Sequence, residues 1–249
     1  MRTWRNGRRT RLKIGFPQRS AGSSPAVRTS LIFAPTRKSG VETKLTVQDR
    51  RHIQDRDVRL LRETVQGILN LELAAGEDIL AIALATMPDQ ACLVPEHRQE
   101  LTTEGGLKVA RDDQQLRSCI DALKESGIIV SLFIEPDPAT VRLAKEIGAD
   151  AVELHTGTWA DAWTHSRGDE HDEALVQQLS RLEESADTAA TVGIRLHAGH
   201  GITYRNVRGL LHLPLLRELN IGHSIVSRAV LVGMERAVCD MREAIDRGP

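Results

Sequence analysis

The sequence predicts an α/β protein with a parallel sheet, and three observations support this prediction. The chain has 249 residues, a length that suits one domain with a sizeable core. Six short apolar segments, typical of buried strands, lie near residues 68, 90, 128, 151, 194 and 218. Most of them are separated by a segment with helical periodicity, and strands connected in this way become neighbours in a parallel sheet.

The alternation favours a (β/α)₈ TIM barrel, which closes only with eight strands. Since six strands are clear, we expect the barrel to be incomplete at its N-terminus. The other two would have to come from the first 48 residues. Residues 43–47 offer a replacement for the second strand, and residues 31–33 are the best candidate for the first. Without both, an open sheet would expose two edges and part of its apolar interior.

Charge divides the chain into two parts. Residues 1–40 contain ten Lys or Arg and no Asp or Glu, whereas residues 41–249 contain 23 basic and 34 acidic residues. We therefore expect residues 1–45 to form an aberrant, basic, disordered segment and residues 46–249 to form the catalytic barrel domain. The basic segment has three interpretations: a targeting segment, a nucleic-acid-binding arm, or upstream sequence that is not part of the fold. We favour the third, because residues 22–27 resemble the product of a mistranslated transfer-RNA gene.

Cysteine usage and hydropathy restrict the compartment and the partners. The three cysteines have neither CxxC spacing nor an even count, so we expect a reducing cytoplasm and no disulfide framework or zinc site. No apolar run approaches the roughly 20 residues of a membrane helix, so we expect no membrane partner. We expect no nucleic-acid partner either.

His197 and His200 are three apart on a predicted strand and point to opposite faces, which disfavours a shared metal ion.

Helical periodicity predicts helices over residues 107–125, 139–147, 173–192 and 225–245. Between them, residues 159–172 are a polar insertion that contains two of the three tryptophans. This insertion is interpreted either as a lid or interface or as surface packing.

Several titratable residues fall at or just after predicted strand ends, where barrel enzymes place their chemistry. They are Glu72, Glu153, His155, His200 and His223. A carboxylate inside a strand, as at Glu72, is costly unless it is paired or functional. His200 lies between two glycines, which leaves its backbone accessible and suits general acid or base work, although a turn with a hydrogen-bonded histidine is the alternative.

The segment after the last strand suggests a phosphate site. Gly222 and His223 lead directly into a helix, whose backbone N–H groups and positive dipole end suit an anion. An ordinary strand-to-helix turn is the alternative. A substrate with a phosphoryl group follows from the first interpretation.

A series of motifs in this order resembles the pyridoxine 5′-phosphate synthase family. The resemblance runs from about residue 49 to residue 242, and its most specific motifs are Asn70-Leu71-Glu72, Glu153-Leu154-His155-Thr156-Gly157, Ala198-Gly199-His200-Gly201 and Leu219-Asn220-Ile221-Gly222-His223. The chain is identified on these motifs as a member of that family.

The resemblance implies a transferase of vitamin B6 biosynthesis, a TIM barrel that forms homo-oligomers, octameric in the family. The reaction condenses 1-deoxy-D-xylulose 5-phosphate with 3-amino-2-oxopropyl phosphate to pyridoxine 5′-phosphate, phosphate and water, with no metal or organic cofactor. The roles implied by position are general base for Glu72, general acid for His200, transition-state stabilisation for Glu153, sugar-phosphate binding for His52 and Thr102, and amino-ketone phosphate binding for Gly201, Gly222 and His223.

The chain also departs from the family pattern. The family's first strand, with its Asn, Asp-His pair and Arg, has no counterpart in residues 1–45, and Leu45 and Val47 stand where a His and an Arg are expected. The alternative function is therefore a catalytically defective remnant that only binds phosphorylated ligands or associates with intact subunits.

Overall fold

The strands of the protein form a closed barrel. The computed structural model describes residues 11–15, 29–34, 40–47, 53–95 and 105–248, and in the first three of these ranges it describes the backbone alone. The strands in the described residues are β1 (Arg11–Gly15), β2 (Thr29–Ala34), β3 (Gly40–Val47), β4 (Leu69–Leu73), β5 (Gln90–Leu93), β6 (Ile129–Ile134), β7 (Ala151–His155), β8 (Arg195–Gly199) and β9 (Leu216–Asn220).

The six predicted parallel strands are confirmed as β4 to β9, each paired in parallel with the next. Their order in the sheet equals their order in the chain, as expected for strands joined by short right-handed crossovers. The carboxyl ends of all six strands therefore lie at one end of the barrel, and this end positions the candidate site.

Three further strands close the ring, so the edges expected for an open six-stranded sheet are paired. β3 pairs in parallel with β4, and β1 pairs in parallel with β9. Between them β2 is antiparallel to both. Residues 31–33, the candidate first strand, lie in this reversed strand, and residues 43–47 lie in β3. The division of the chain between residues 45 and 46 stays a prediction.

Helices cover the outside of the barrel. Within the described residues they are α1 (Asp55–Thr64), α2 (Glu77–Thr86), α3 (Gln114–Glu125), α4 (Pro138–Glu146), α5 (Gly157–His165), α6 (Glu173–Val192), a 3₁₀ helix (Val207–Leu210), α7 (His223–Val232) and α8 (Met234–Asp246).

The long helix α6 shows how local sequence sets the helix ends. Its N-terminal cap is Asp172, whose carboxylate accepts a hydrogen bond of 2.9 Å from the Leu175 amide. Its C-terminal cap is Gly193, which adopts a φ of 68° that glycine adopts without steric cost. The predicted boundaries of this helix are confirmed for that reason.

Two predicted helices and one predicted polar insertion differ from the structure. Helix α3 begins at Gln114 instead of residue 107, because the Leu107 amide donates to the Phe133 carbonyl at 2.7 Å and keeps that segment beside β6. Residues 225–245 form two helices, because Gly233 adopts a φ of 82° that ends the first. The first part of the insertion predicted at residues 159–172 belongs to α5, which begins at Gly157, ends at His165 and buries Trp159 and Ala160.

The hydrophobic core lies between the strand ring and the helices. It combines outward-pointing strand residues such as Leu71 and Val152 with helix residues such as Ile120, Leu182 and Ile225, all fully buried. The core thus fixes which face of each strand points into the barrel. None of the helices in the described part of the chain is both long enough and apolar enough to cross a membrane.

Candidate active site

Polar side chains line the interior of the barrel. The thiol of Cys92 lies 3.7 Å from Glu153 Oε2, although their strands β5 and β7 are not neighbours in the sheet. Side chains on non-adjacent strands meet only inside the ring, so both point inward. The following residues, Leu93 and Leu154, alternate to the outside and belong to the core beneath the helices.

The predicted general base Glu72 belongs to the same interior face. Its register partner on β5 is Cys92, and opposite residues in a parallel pair point to the same side of the sheet. Two residues earlier, Asn70 donates to Gln90 Oε1 at 3.1 Å, which extends the polar lining towards the amino ends of the strands. Glu72 is half-buried, whereas Asn70 is fully buried. Glu72 therefore lies nearer the end of the barrel at which the carboxyl ends of the strands meet.

Glu153, the predicted transition-state stabiliser, is 3% exposed and occupies space that a glycine provides. A Cβ atom added at Gly199 would overlap Glu153 Oε1 and would lie 2.8 Å from Asn220 Cβ. The absence of a side chain at residue 199 therefore lets the carboxylate lie against β8. Such a buried carboxylate favours positive charge that develops nearby.

His155 lies two residues after Glu153, on the same face of β7, and pairs with Glu135. Its Nδ1 atom lies 2.8 Å from Glu135 Oε1, and the ring is 6% exposed. The hydrogen bond from His155 lowers the pKa of Glu135, helped by the Gly106 amide and by Arg181, while burial opposes the shift. The carboxylate is therefore ionised at neutral pH and accepts, so Nδ1 donates. Among the described residues, the buried Nε2 atom has no hydrogen-bond partner.

The predicted general acid His200 follows β8 in a strained conformation. Its φ is 81°, in the left-handed region, and the following Gly201 has a φ of 74°. A non-glycine residue in such a region costs on the order of 1–3 kcal/mol and persists when surrounding contacts fix it. The ring of His200 contacts that of His155 edge to face, with 4.8 Å between centroids. The end of β7 thus approaches the end of β8 at these two histidines.

Hydrogen bonds from neighbouring loops hold the turn after β8. The carbonyl of Gly201 accepts from Asn206 Nδ2 at 3.1 Å, and the carbonyl of Ile202 accepts from the Ser224 hydroxyl at 2.8 Å. Ser224 is in the first turn of α7, so this bond brings the turn next to the start of that helix. Within the described residues, no acceptor binds the Gly201 amide.

Two predicted phosphate ligands lie at the N-terminus of α7. Gly222 is its N-cap residue and provides no side-chain cap, and His223 is its exposed first residue. The first amide groups of the helix are therefore left for another acceptor, and the helix dipole favours an anion there. Gly201, Gly222 and His223 are thus brought to one region, and their role in binding an anion stays a prediction.

A second contact between a histidine and a carboxylate lies deeper in the barrel. His197 Nδ1 is 3.2 Å from Glu218 Oε1, and the two side chains are register partners on β8 and β9. His197 therefore faces a different neighbour from His200. In the part of the chain that the structure describes, no group of three or more His, Cys, Asp or Glu side chains is arranged to bind a metal ion.

Two predicted site residues, His52 and Thr102, lie outside the described residues, so their roles stay predictions. Sequence reasoning missed Glu135, Thr156 and Ser224, which contact the site. Glu135 directly follows a strand, and Thr156 follows His155, so position at a strand end was the available signal. Ser224 carried only a weak signal, because its partner is a backbone carbonyl 22 residues away in the chain.

Solved structures confirm the barrel class. The chain superposes on 3-hexulose-6-phosphate synthase from Salmonella typhimurium with a TM-score of 0.52 at 18% identity, covering 82% of this chain and 86% of that one. It superposes on KGPDC from Streptococcus mutans with a TM-score of 0.55 at 10% identity, covering 82% and 85%. At these identities the likeness concerns the fold alone.

Sequence relatives are much more similar. The chain is 52% identical over 198 residues to pyridoxine 5′-phosphate synthase of Synechococcus sp. and 50% identical to that of Syntrophotalea carbinolica, with 80% of each chain covered in both cases. The model of the family described as pyridoxal phosphate biosynthesis protein PdxJ matches residues 23–247, which begins upstream of the first motif found in the sequence. The chain belongs to this PdxJ family.

Proposed function

We propose that the protein is a pyridoxine 5′-phosphate synthase, which condenses 1-deoxy-D-xylulose 5-phosphate with 3-amino-2-oxopropyl phosphate to pyridoxine 5′-phosphate, phosphate and water. The single observation that supports this most is the match to the PdxJ family over residues 23–247. The arrangement of Glu72, Glu153 and His200 at one end of the barrel is compatible with the chemistry.

Ring formation requires an imine between the amine and a carbonyl, several proton transfers and loss of water. Glu72 is the proposed base, because an inward-pointing, half-buried carboxylate can accept a proton from a carbon acid held above the strands. His200 is the proposed acid, which protonates the oxygen that leaves. Glu153, buried beneath the same opening, stabilises the cationic imine.

The amino-ketone phosphate is proposed to bind where the turn after β8 meets α7. The Gly201 amide and the first amides of α7, at Gly222 and His223, provide donors at a positive dipole end. The sugar phosphate is proposed to bind His52 and Thr102. One phosphorylated substrate would then lie on each side of the acid and the base.

A catalytically defective remnant is the second candidate, and one observation favours it. Leu45 and Val47 occupy positions of β3 where the family resemblance calls for a His and an Arg. Aliphatic residues neither transfer protons nor bind phosphate, so turnover could be lost while binding at α7 persists.

Turnover by the purified full chain separates the two candidates. Formation of pyridoxine 5′-phosphate from both substrates is measured by chromatography for the wild type, Glu72→Gln and His200→Asn. Each variant is expected to lose about 10²- to 10⁴-fold in kcat, the usual contribution of a positioned acid or base.

The surface pair Glu183 and His212 provides matched controls. Glu183 Oε1 and His212 Nε2 lie 2.7 Å apart at exposed positions on a helix and a loop. Glu183→Gln and His212→Asn repeat the two substitutions there. Both are expected to keep wild-type activity. A wild type that folds and binds inorganic phosphate but forms no product would reject the synthase and support the remnant.

The protein is also proposed to act in the cytoplasm as a homo-oligomer. All three thiols, Cys92, Cys119 and Cys239, are free, as is usual in a reducing compartment. Val230, Leu231 and Val232 at the end of α7 are exposed by 81%, 85% and 41%. Three consecutive exposed aliphatic residues favour a subunit contact.

A further inference from the structure

The hydroxyl of Thr156 occupies an unusual position between two carbonyl groups of the turn that holds His200. It lies 2.9 Å from the Gly199 carbonyl oxygen and 2.5 Å from the His200 carbonyl oxygen. Thr156 is fully buried and belongs to the neighbouring strand end, 44 residues away from His200 in the chain. A hydroxyl has one hydrogen, so it donates fully to only one of the two oxygens.

The two carbonyls differ in their contacts with Thr156. The Thr156 amide donates to the Gly199 carbonyl at 2.8 Å, so this oxygen has a donor even without the hydroxyl. The His200 carbonyl oxygen lies nearer the hydroxyl, and we assign the hydroxyl hydrogen to it. Thr156 therefore binds two consecutive carbonyls, one through its amide and one through its side chain.

The bond to His200 acts on the strained residue itself. His200 has a φ of 81°, and the peptide that follows it is oriented by whatever its carbonyl binds. The next two carbonyls, of Gly201 and Ile202, are bound by Asn206 and Ser224. The Thr156 hydroxyl contacts the carbonyl of His200 itself.

We propose that Thr156 is a positioning residue, whose hydroxyl holds the His200 backbone so that the imidazole is presented to the substrate. This inference rests on the proposed function of His200 as general acid. We assign Thr156 a positioning role and not a catalytic one, because it is fully buried and its hydroxyl faces the His200 carbonyl. Small displacements of an acid lower the rate of proton transfer much more than they lower substrate affinity.

Two substitutions isolate the hydroxyl. Thr156→Val keeps the shape and the backbone amide but removes the donor, and Thr156→Ser keeps the donor. The matched control is Thr164→Val in helix α5, which directly follows Thr156; there the Thr164 hydroxyl donates to the Ala160 carbonyl at 2.9 Å. We expect Thr156→Val to lower kcat about 10- to 100-fold with KM within about twofold, Thr156→Ser to restore most of kcat, and Thr164→Val to match the wild type.

Histidine ring signals provide a readout that does not depend on turnover. In protein labelled with ¹³C-histidine, the His200 signal is identified by its loss in His200→Asn. It is expected to shift in Thr156→Val and to stay in place in Thr156→Ser and Thr164→Val. A melting temperature measured for each variant shows that it is folded.

Three outcomes would overturn the inference: a kcat for Thr156→Val within twofold of the wild type, equal losses in the valine and serine variants, or an unchanged His200 signal in Thr156→Val. A wild type without turnover would instead reject the proposed function. The ring signal alone would then decide whether Thr156 positions His200.

Discussion

At the scale of single residues, the carboxylate of Glu135 links stability to pH. Its pKa is lowered in the folded protein because His155 donates a hydrogen bond to it, with smaller effects from the Gly106 amide and Arg181. A lowered pKa means that the contribution to stability is complete above the ordinary value of 4.5 and is lost as the pH falls through the folded value.

Glu135→Gln is therefore expected to destabilise the protein at pH 7 and to have less effect as the pH falls below 4.5. The side chain is 38% exposed, so solvent screening limits the difference at pH 7 to about 1 kcal/mol. Urea unfolding of both proteins at several pH values measures it. Glu146→Gln, which removes an exposed partner of Arg111, is the control and should show no such trend. An effect of Glu135→Gln that is constant from pH 7 to pH 3 would contradict the prediction.

Other residues show which parts of the site the sequence could reveal. Glu72 and Glu153 were predictable as candidates, because a carboxylate in an apolar strand is costly unless it is paired or functional. Thr156 and Ser224 were not, because each acts through a backbone carbonyl, and the position of a carbonyl depends on the fold. Side chains that bind backbone carbonyls in this way do not recur at a regular spacing in the sequence, so no periodic pattern reveals them.

At the scale of secondary-structure elements, β8 can approach the side chains of its neighbours because residue 199 is glycine. A methyl group there would overlap the Glu153 carboxylate and crowd Asn220 on β9. Gly199→Ala is therefore expected to push Glu153 out of its position, to lower kcat at least 10-fold and to destabilise the fold by about 1–3 kcal/mol, the usual cost of overpacking.

The control for this prediction is Gly76→Ala. An added Cβ at Gly76 would meet no atom within 4 Å, and its φ of −106° is open to any residue. Turnover assays and thermal unfolding of both variants measure the effects. If Gly199→Ala kept wild-type turnover, the close approach of Glu153 to β8 would have no catalytic importance.

Helix boundaries were predictable where local chemistry sets them. Helix α6 has an aspartate cap, a periodic apolar face and a terminal glycine, and its range follows from these features. Helix α5 was missed because its apolar face depends on tertiary contacts, such as that of Trp159 with Gly209 far along the chain. The break between α7 and α8 depends on the conformation of Gly233, which composition alone does not reveal.

At the scale of the whole molecule, six parallel strands were predictable from apolar runs, whereas the closure of the ring was not. The reversed strand β2 is antiparallel to both β1 and β3, whereas a βαβ unit joins parallel strands, so the alternation that predicts such a unit does not apply there. Closure pairs the backbone groups of β4 and β9 that would otherwise be exposed. The candidate site depends on the closed ring, since its residues come from strands in different parts of that ring.

The exposed apolar end of α7 leads to a prediction about assembly. Leu231 is 85% exposed and lies beside Val230, which is 81% exposed, so burying this pair against a second copy removes apolar surface from water. Leu231→Asp places a charge in such a contact and is expected to lower the molar mass measured by light scattering after gel filtration. Leu60→Asp is the control, because Leu60 is also exposed, at 58%, but lies on α1. A wild type that is monomeric at all concentrations, or a Leu231→Asp variant with unchanged mass, would show that this end of α7 is not a subunit contact.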